Sequence, residues 1–219
     1  MFGRKKFKYT DLPPGDRIRK LVEEYLQEFL ENKGFKLLKS ELTFKRKIGD
    51  FTQEIYFPKS RHNFGKTNVD FWIILSVNSR TYVKWHKKQY GFEPINDFVH
   101  SWYNKHIDEW KTEFREVHYD LAKFDNAKLM EDIKRNLENI GIPLLEKVSD
   151  WEKASDYMVQ REEFAYIAKI FDFYIIANRI DKAIESLSLA ENCYKKYENV
   201  PNERFEEIKL RKDYLQQRV

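Results

Sequence analysis

Residues 34–78 read GFKLLKSELTFKRKIGDFTQEIYFPKSRHNFGKTNVDFWIILSVN, and the spacing of apolar side chains along this stretch decides the fold. From Phe51 the residues alternate, with Phe51, Gln53, Ile55 and Phe57 on one face and Thr52, Glu54 and Tyr56 on the other. Successive side chains of a strand point to opposite faces, so this is the pattern of a half-buried strand. Leu42, Phe44 and Ile48 alternate with Thr43, Lys45 and Lys47 in the same way, and Gly49–Asp50 between the two runs is a tight-hairpin signal. A third run differs: Val69, Phe71, Ile73, Leu75 and Val77 make one apolar face while Trp72 and Ile74 add bulk to the other, as in a central strand buried on both sides. Glu113–Leu121 places Phe114 opposite Arg115 and is expected to add another strand.

Helices flank this meander. Pro13 and Pro14 precede a first turn for which Asp16 is the candidate cap, and Ile18, Leu21, Val22, Tyr25, Leu26, Phe29 and Leu30 follow amphipathic spacing until Gly34. Ile95, Phe98, Val99 and Trp102 also fall at helical spacing. A further helix over Asn126–Asn139 is expected to stop at Gly141–Ile142–Pro143. From about Ala154 the chain reads as helix only. Phe164, Ile167, Ala168, Phe171, Tyr174 and Ile175 form one apolar face, Asn178–Arg179 breaks it, Ile180, Ala183, Ile184, Leu187 and Ala190 form a second, and Pro201 opens a last helix. The reading is an α+β antiparallel meander covered by helices over 16–152, after a basic tail (1–15) and before an all-helical extension (153–219).

Composition excludes several classes. A chain of 219 residues with 42% apolar and 16% aromatic residues can bury a self-sufficient core. Its 35% charged residues and mean hydropathy of −0.75 argue against a membrane protein, and no run approaches the ~18 apolar residues of a membrane span. Met1–Lys8 is basic but no apolar stretch follows it, so no signal peptide is expected, and the single Cys193 cannot form an internal disulfide. A cytoplasmic setting follows from these features. The net charge of +4 equals the contribution of Arg4, Lys5, Lys6 and Lys8, which leaves residues 11–219 formally neutral. The tail itself is expected to be a solvated, frayed terminus.

Catalytic patterns are missing. His100 and His106 are six apart and would point to different sides of a helix, and His62, His86 and His118 form no ligand spacing with them. Cys193 has no companion and reads as a packing residue. The seven glycines are scattered, with no phosphate-cradling motif. Asp50, Glu54, Lys59 and Asp70 lie on consecutive strands, as a divergent metal-dependent nuclease would require. Glu54 and Lys59, however, fall on opposite faces with Pro58 between them. No cofactor or metal is expected.

Two segments are candidate binding sites. The Pro58–Asn68 loop concentrates Lys59, Ser60, Arg61, His62, Asn63 and Lys66 at the end of a rigid sheet, donors suited to phosphate or carboxylate, with Phe64 as an aromatic plane. Arg80–Tyr90 interleaves Tyr82, Trp85 and Tyr90 with Lys84, Lys87 and Lys88, which suits stacking on single-stranded bases and equally suits a lysine-guarded edge strand.

The order of a helix, GFK (34–36), LTFKR (42–46), GDFTQEIYFPKSR (49–61), an apolar strand and NIGIPLLEKVSDWE (139–152) resembles a family of bacterial domains of unknown function, over about residues 16–152. The departure is Pro58, where a polar residue is expected in that family. The resemblance implies an α+β fold in the bacterial cytosol and no assigned activity. Ile167, Ile170, Tyr174, Asn178, Ala183, Leu187 and Ala190 resemble one tetratricopeptide-type hairpin, with bulky Phe171 where that pattern wants a small residue. A single repeat cannot bury its own face, so a helical cap is the expected role. The function expected is that of a non-enzymatic binding module that recognises a protein or anionic partner through the 58–68 loop. The alternative is a nucleic-acid binding protein or divergent metal-dependent nuclease that uses the basic 59–66 and 80–88 segments, and no membrane partner is expected.

Overall fold

The computed structural model describes residues 6–216. In chain order the elements are α1 (Pro14–Val22), a π-helical turn (Glu23–Gln27), α2 (Glu28–Asn32), β1 (Lys36–Leu38), β2 (Thr43–Ile48), β3 (Phe51–Tyr56), β4 (Asp70–Phe71) and β5 (Ile74–Asn78). There follow α3 (Arg80–Tyr90), β6 (Phe98–Tyr103), β7 (Tyr119–Asp120), α4 (Asn126–Asn136), a second π-turn (Leu137–Gly141) and α5 (Ile142–Lys147). The chain ends in α6 (Trp151–Gln160), α7 (Ile167–Ile176), α8 (Ile180–Tyr194) and α9 (Asn202–Gln216). The fold class is α+β. Contacts divide the chain into two compact units, Met1–Thr81 with His100–Glu146, and Tyr82–Val99 with Lys147–Val219.

The first unit carries most of the sheet, whose strand order is β1-β2-β3-β5-β6. Thr43 to Ile48 pair antiparallel with Tyr56 to Phe51, so Gly49–Asp50 is the two-residue turn, and Gly49 supplies φ +55° there. Phe51, Gln53, Ile55 and Phe57 are buried while Thr52, Glu54 and Tyr56 are not, as the alternation predicts. On β2 the pattern holds for Phe44 but not for Ile48, which is exposed beside the turn. Arg46 shares the face of Phe44. Its guanidinium lies 4.5 Å from the Phe35 ring centre and donates twice to the buried Gln53 side chain (2.9 and 2.7 Å).

The run Val69–Val77 is not one strand. Its apolar face is real, since Val69, Phe71, Ile73, Leu75 and Val77 are all fully buried. The backbone changes partners half-way, however. Asp70–Phe71 pair with Asp120–Tyr119 in a separate two-stranded sheet, and Ile74–Asn78 pair with β3. Between them the Trp72 N–H turns to the Pro58 carbonyl (3.2 Å), and Ile73 exchanges hydrogen bonds with Asn104. Of the expected strand at Glu113–Leu121, β7 is the regular part. Ile95, Phe98, Val99 and Trp102 are not helical: Phe98–Tyr103 is a strand, and Ile95 is fully exposed in the loop before it.

Around the sheet, α1 starts with Pro13 as the capping position and Pro14 as its first residue, while Asp16 sits in the first turn and pairs with Arg19. Helix α2 ends in paired bonds from Phe35 N–H to Leu30 O (3.0 Å) and Gly34 N–H to Glu31 O (2.9 Å), with Gly34 at φ +85°. The expected stop at Gly141–Pro143 is a continuation instead. A π-turn precedes Pro143, and this wider coil absorbs the ring and the missing N–H that would break a regular helix. A Cβ on Gly141 would lie 3.2–3.3 Å from Trp110, Leu137 and Leu75, so the glycine lets the helix approach the sheet closely. Phe44, Phe57, Phe71 and Tyr119 form a continuous aromatic chain with centroid spacings of 6.0, 6.5 and 5.5 Å, and Trp110 donates to the Tyr119 hydroxyl (2.8 Å).

The described part of the N-terminal tail is tied down, contrary to the frayed terminus expected. Lys6 N–H donates to Asp125, Lys8 N–H donates to Asn126, and the Lys8 ammonium pairs with Glu24. Buried Arg17 joins the same cluster through the Lys8 and Leu121 carbonyls and the Asn126 side chain. Arg4 and Lys5 lie outside the described residues.

In the second unit α7 is the central helix, with α6, α8 and α9 packed on it. Ile167, Phe171, Tyr174 and Ile175 are buried, and Asn178 at φ +59° makes the break before α8. On α8, Ala183, Leu187 and Ala190 are buried, whereas Ile180 and Ile184 are exposed.

Candidate functional site

The Pro58–Asn68 loop is a built structure. Its ends are joined by Ser60 N–H to Asp70 O (2.9 Å) and by the Lys59–Phe71 bridge, and its tip by reciprocal bonds between Phe64 and Asn68. Asn63 clamps Asp70 from both ends of its amide, donating to the Asp70 carbonyl (2.9 Å) and accepting from the Asp70 N–H (2.6 Å). The Ser60 hydroxyl accepts from His62 N–H, and Asn68 donates to His62 O. Ser60 and Asn63, expected as ligand donors, thus also hold the loop together.

The loop cations are differently placed. Lys59, Arg61, His62 and Lys66 are exposed, and among the described residues no carboxylate lies within ion-pair distance of them. The Arg61 guanidinium lies 3.1 Å from His62 Nε2, and the Lys59 chain lies across Gly15, whose missing Cβ leaves it room. Phe64 at the tip is 78% exposed. A rigid loop that presents charges without counter-ions suits an anionic partner, because little ordering entropy is lost on binding.

Beside the loop base lies an aromatic strip. Trp72 stacks on His118 (centroids 4.8 Å, 27°) and meets Tyr103 edge-on at 6.0 Å, Tyr103 approaches His106 at 5.6 Å, and Lys105 lies 4.7 Å over the Tyr103 ring. Trp72, Tyr103 and His118 are half-buried. Nearby, Asp70 faces Asp120 across β4 and β7, and burial, then Asp120, raises the Asp70 pKa. Asp120 is occupied by the Ala122 N–H (2.8 Å). Glu54 pairs with Lys45 (3.0 Å) and Asp50 accepts from Thr81 (3.0 Å), so the acids proposed for a nuclease engage separate partners. Among the described residues no three His, Cys, Asp or Glu side chains gather as metal ligands.

The second candidate segment, Arg80–Tyr90, is helix α3 rather than an edge strand. Tyr82 and His86 are buried one turn apart, and half-buried Trp85 meets Tyr90 and Tyr214 edge-on. Trp85 thus packs by its edges against Tyr90 and Tyr214 and keeps part of its surface exposed. Lys84, Lys87 and Lys88 are exposed on the other side, and Lys87 pairs with Glu93 (2.9 Å). What α3 packs around is a buried polar network. Asp172 on α7 accepts from Tyr90 (2.8 Å), Tyr82 (3.1 Å) and Arg211 of α9 (3.0 Å), with His86 Nε2 at 3.9 Å. Burial raises the Asp172 pKa and Arg211 opposes it, while burial and Asp172 push both tyrosines far up.

A family model described as a domain of unknown function, DUF4304, matches residues 26–147, more than half of the chain. The chain belongs to the DUF4304 family. No curated protein and no solved structure matches it. The DUF4304 segment contains the whole basic loop and the Trp72–His118 strip. Among the described residues no helix is long and apolar enough to cross a membrane. The strip escaped sequence reasoning because Trp72, Tyr103 and His118 come from three separated segments. The Asp172 network joins residues from 82 to 211, and its one local cue was the Tyr82–His86–Tyr90 spacing of four.

Proposed function

We propose that this protein is a non-enzymatic binding module of the bacterial cytosol that recognises an anionic partner, a protein or another polyanion, through the 58–68 loop. The observation that carries the reading is the set of exposed Lys59, Arg61 and Lys66 on a hydrogen-bonded loop without ion-pair partners among the described residues. Charges of this kind can pair with a partner's carboxylates or phosphates without first breaking an internal ion pair, and they steer an anionic partner toward the loop. The strip of Trp72, Tyr103, Lys105 and His118 favours a second reading, in which the anionic partner is single-stranded nucleic acid that lays bases on the aromatic rings.

The test is affinity capture from a bacterial lysate with wild type and the Lys59→Ala/Arg61→Ala/Lys66→Ala variant, scoring nucleic acid and protein together. The reading expects one class enriched by wild type and lost by the variant. Equal capture by the two proteins would refute it.

A further inference from the structure

The second unit holds a groove of about 700 Å³, within the range of small-molecule sites. Phe92, Pro94 and Ile95 after α3, Tyr166 ahead of α7 and Leu210 on α9 give it apolar walls. These side chains are turned outward: Ile95 is 102% exposed and Phe92 53%. The wall is anchored by the 2.9 Å bond between His86 Nδ1 and Phe92 O, and it turns at Gly91, where φ is +83°.

Lys169 on α7 also lines this groove. Its ammonium donates to Asn96 Oδ1 (2.9 Å) and to Phe98 O (2.6 Å), both neutral acceptors. Among the described residues no carboxylate lies within ion-pair distance of it, and an ammonium has a third donor to offer. Burial pushes its pKa down to about 8, with Asp97 pulling the other way. The other charged walls are occupied: Arg211 by Asp172 (3.0 Å), Arg204 by Glu207 (3.0 Å) and Glu93 by Lys87 (2.9 Å). Glu203 and Glu206 stand exposed at the rim, where they oppose entry of a polyanion.

We infer that this groove binds a small amphipathic monocarboxylate, its carboxylate on Lys169 and its apolar body along Phe92, Ile95 and Leu210. The site is separate from the basic loop in residues and in ligand class. A single negative charge completes the donor set of Lys169, and the alkyl part covers apolar side chains that are otherwise exposed.

The test uses the full chain and calorimetric titration with dodecanoate, dodecanol and dodecylamine, each below its aggregation concentration. Dodecanoate should bind best and dodecylamine worst. Lys169→Met should weaken dodecanoate by about tenfold or more and erase its advantage over dodecanol, while Lys169→Arg keeps that advantage. Ile95→Asp, at a fully exposed position, should weaken dodecanoate without altering the fold. The Lys59/Arg61/Lys66 triple variant should bind it as wild type does, which separates this inference from the loop reading. Wild type that fails to bind dodecanoate, or that binds dodecanol equally well, would overturn the proposal, and this holds even where Lys169→Met does not fold.

Discussion

Arg211→Met removes the cation from the buried network of the second unit while keeping a chain that fills most of the same space. Asp172 is 0% and Arg211 3% exposed at the side chain, so the pair is cut off from water. Among the described residues Arg211 gives Asp172 its only ion pair closer than the 3.9 Å histidine contact, and it also bonds the Ala168 and Glu207 carbonyls (3.3 Å each) and lies 5.1 Å from the Tyr90 ring centre. Without it, Asp172 keeps two tyrosine hydroxyls and, among the described residues, only the more distant His86 at 3.9 Å. Breaking a buried pair from one side costs about 3–5 kcal/mol, because the remaining charge is stranded. For a chain of this size that lowers the melting temperature by roughly 6–20 °C. Urea unfolding followed by tryptophan fluorescence reads it, since Trp85 and Trp151 lie in this unit. Adding Asp172→Asn to Arg211→Met should recover part of the loss, because it removes the stranded charge. A loss below about 1 kcal/mol for Arg211→Met would refute the assignment of this network as the unit's polar anchor.

Other outcomes follow from the same geometry. Phe71→Ala empties a site stacked on Tyr119 and should cost about 3–5 kcal/mol in chemical denaturation; a loss below about 1 kcal/mol would mean that the register is wrong. Gly141→Ala should destabilise despite its better helix propensity, by about 1–3 kcal/mol, because Trp110, Leu137 and Leu75 are all buried and cannot give way. Lys169 is depressed from 10.5 to about 8 in the folded chain. The unfolded chain therefore holds more protons between those values, so native stability should rise with pH across that window, and Lys169→Met should flatten the rise. Tyr103→Leu should weaken oligothymidylate binding by about 1–3 kcal/mol and leave an acidic peptide unaffected if the nucleic-acid reading holds; equal effects would exclude it.

The hairpin at Gly49–Asp50 was legible because one buried face imposes a period of two on both strands, and a one-residue slip would expose Phe51, Ile55 and Phe57 together. Val69–Val77 shows the limit of that signal. Side chains keep the alternation through Trp72 and Ile73 while the backbone hydrogen bonds pass to Pro58 and Asn104, and periodicity carries no information about backbone partners. In Arg80–Tyr90 the lysines between aromatics left a base-stacking segment and a guarded edge strand equally open; the decisive residue for the helix was His86, whose burial one turn from Tyr82 no hydropathy pattern marks. At Phe98–Trp102 a strand imitates helical spacing because His100, polar by type, is buried beside Val99. The loop's cations were legible as a cluster of residue types. That Ser60 and Asn63 hold the loop whereas Lys59, Arg61 and Lys66 face outward depends on Asp70, Asn68 and the two strand ends, which only the fold brings together.

The central claim, recognition of an anionic partner by that loop, is tested most directly by a salt titration of binding, with fluorescence anisotropy of a labelled oligothymidylate and of a labelled polyglutamate. Wild type should bind at least one of them with an affinity that falls steeply with salt. The Lys59→Ala/Arg61→Ala/Lys66→Ala variant should bind about 100-fold more weakly at low salt, with a log–log slope smaller by roughly 2 for the nucleic acid. An unchanged melting temperature would show that the fold survives the substitutions. Equal affinities and equal slopes for wild type and variant, with either probe that binds, would contradict the account.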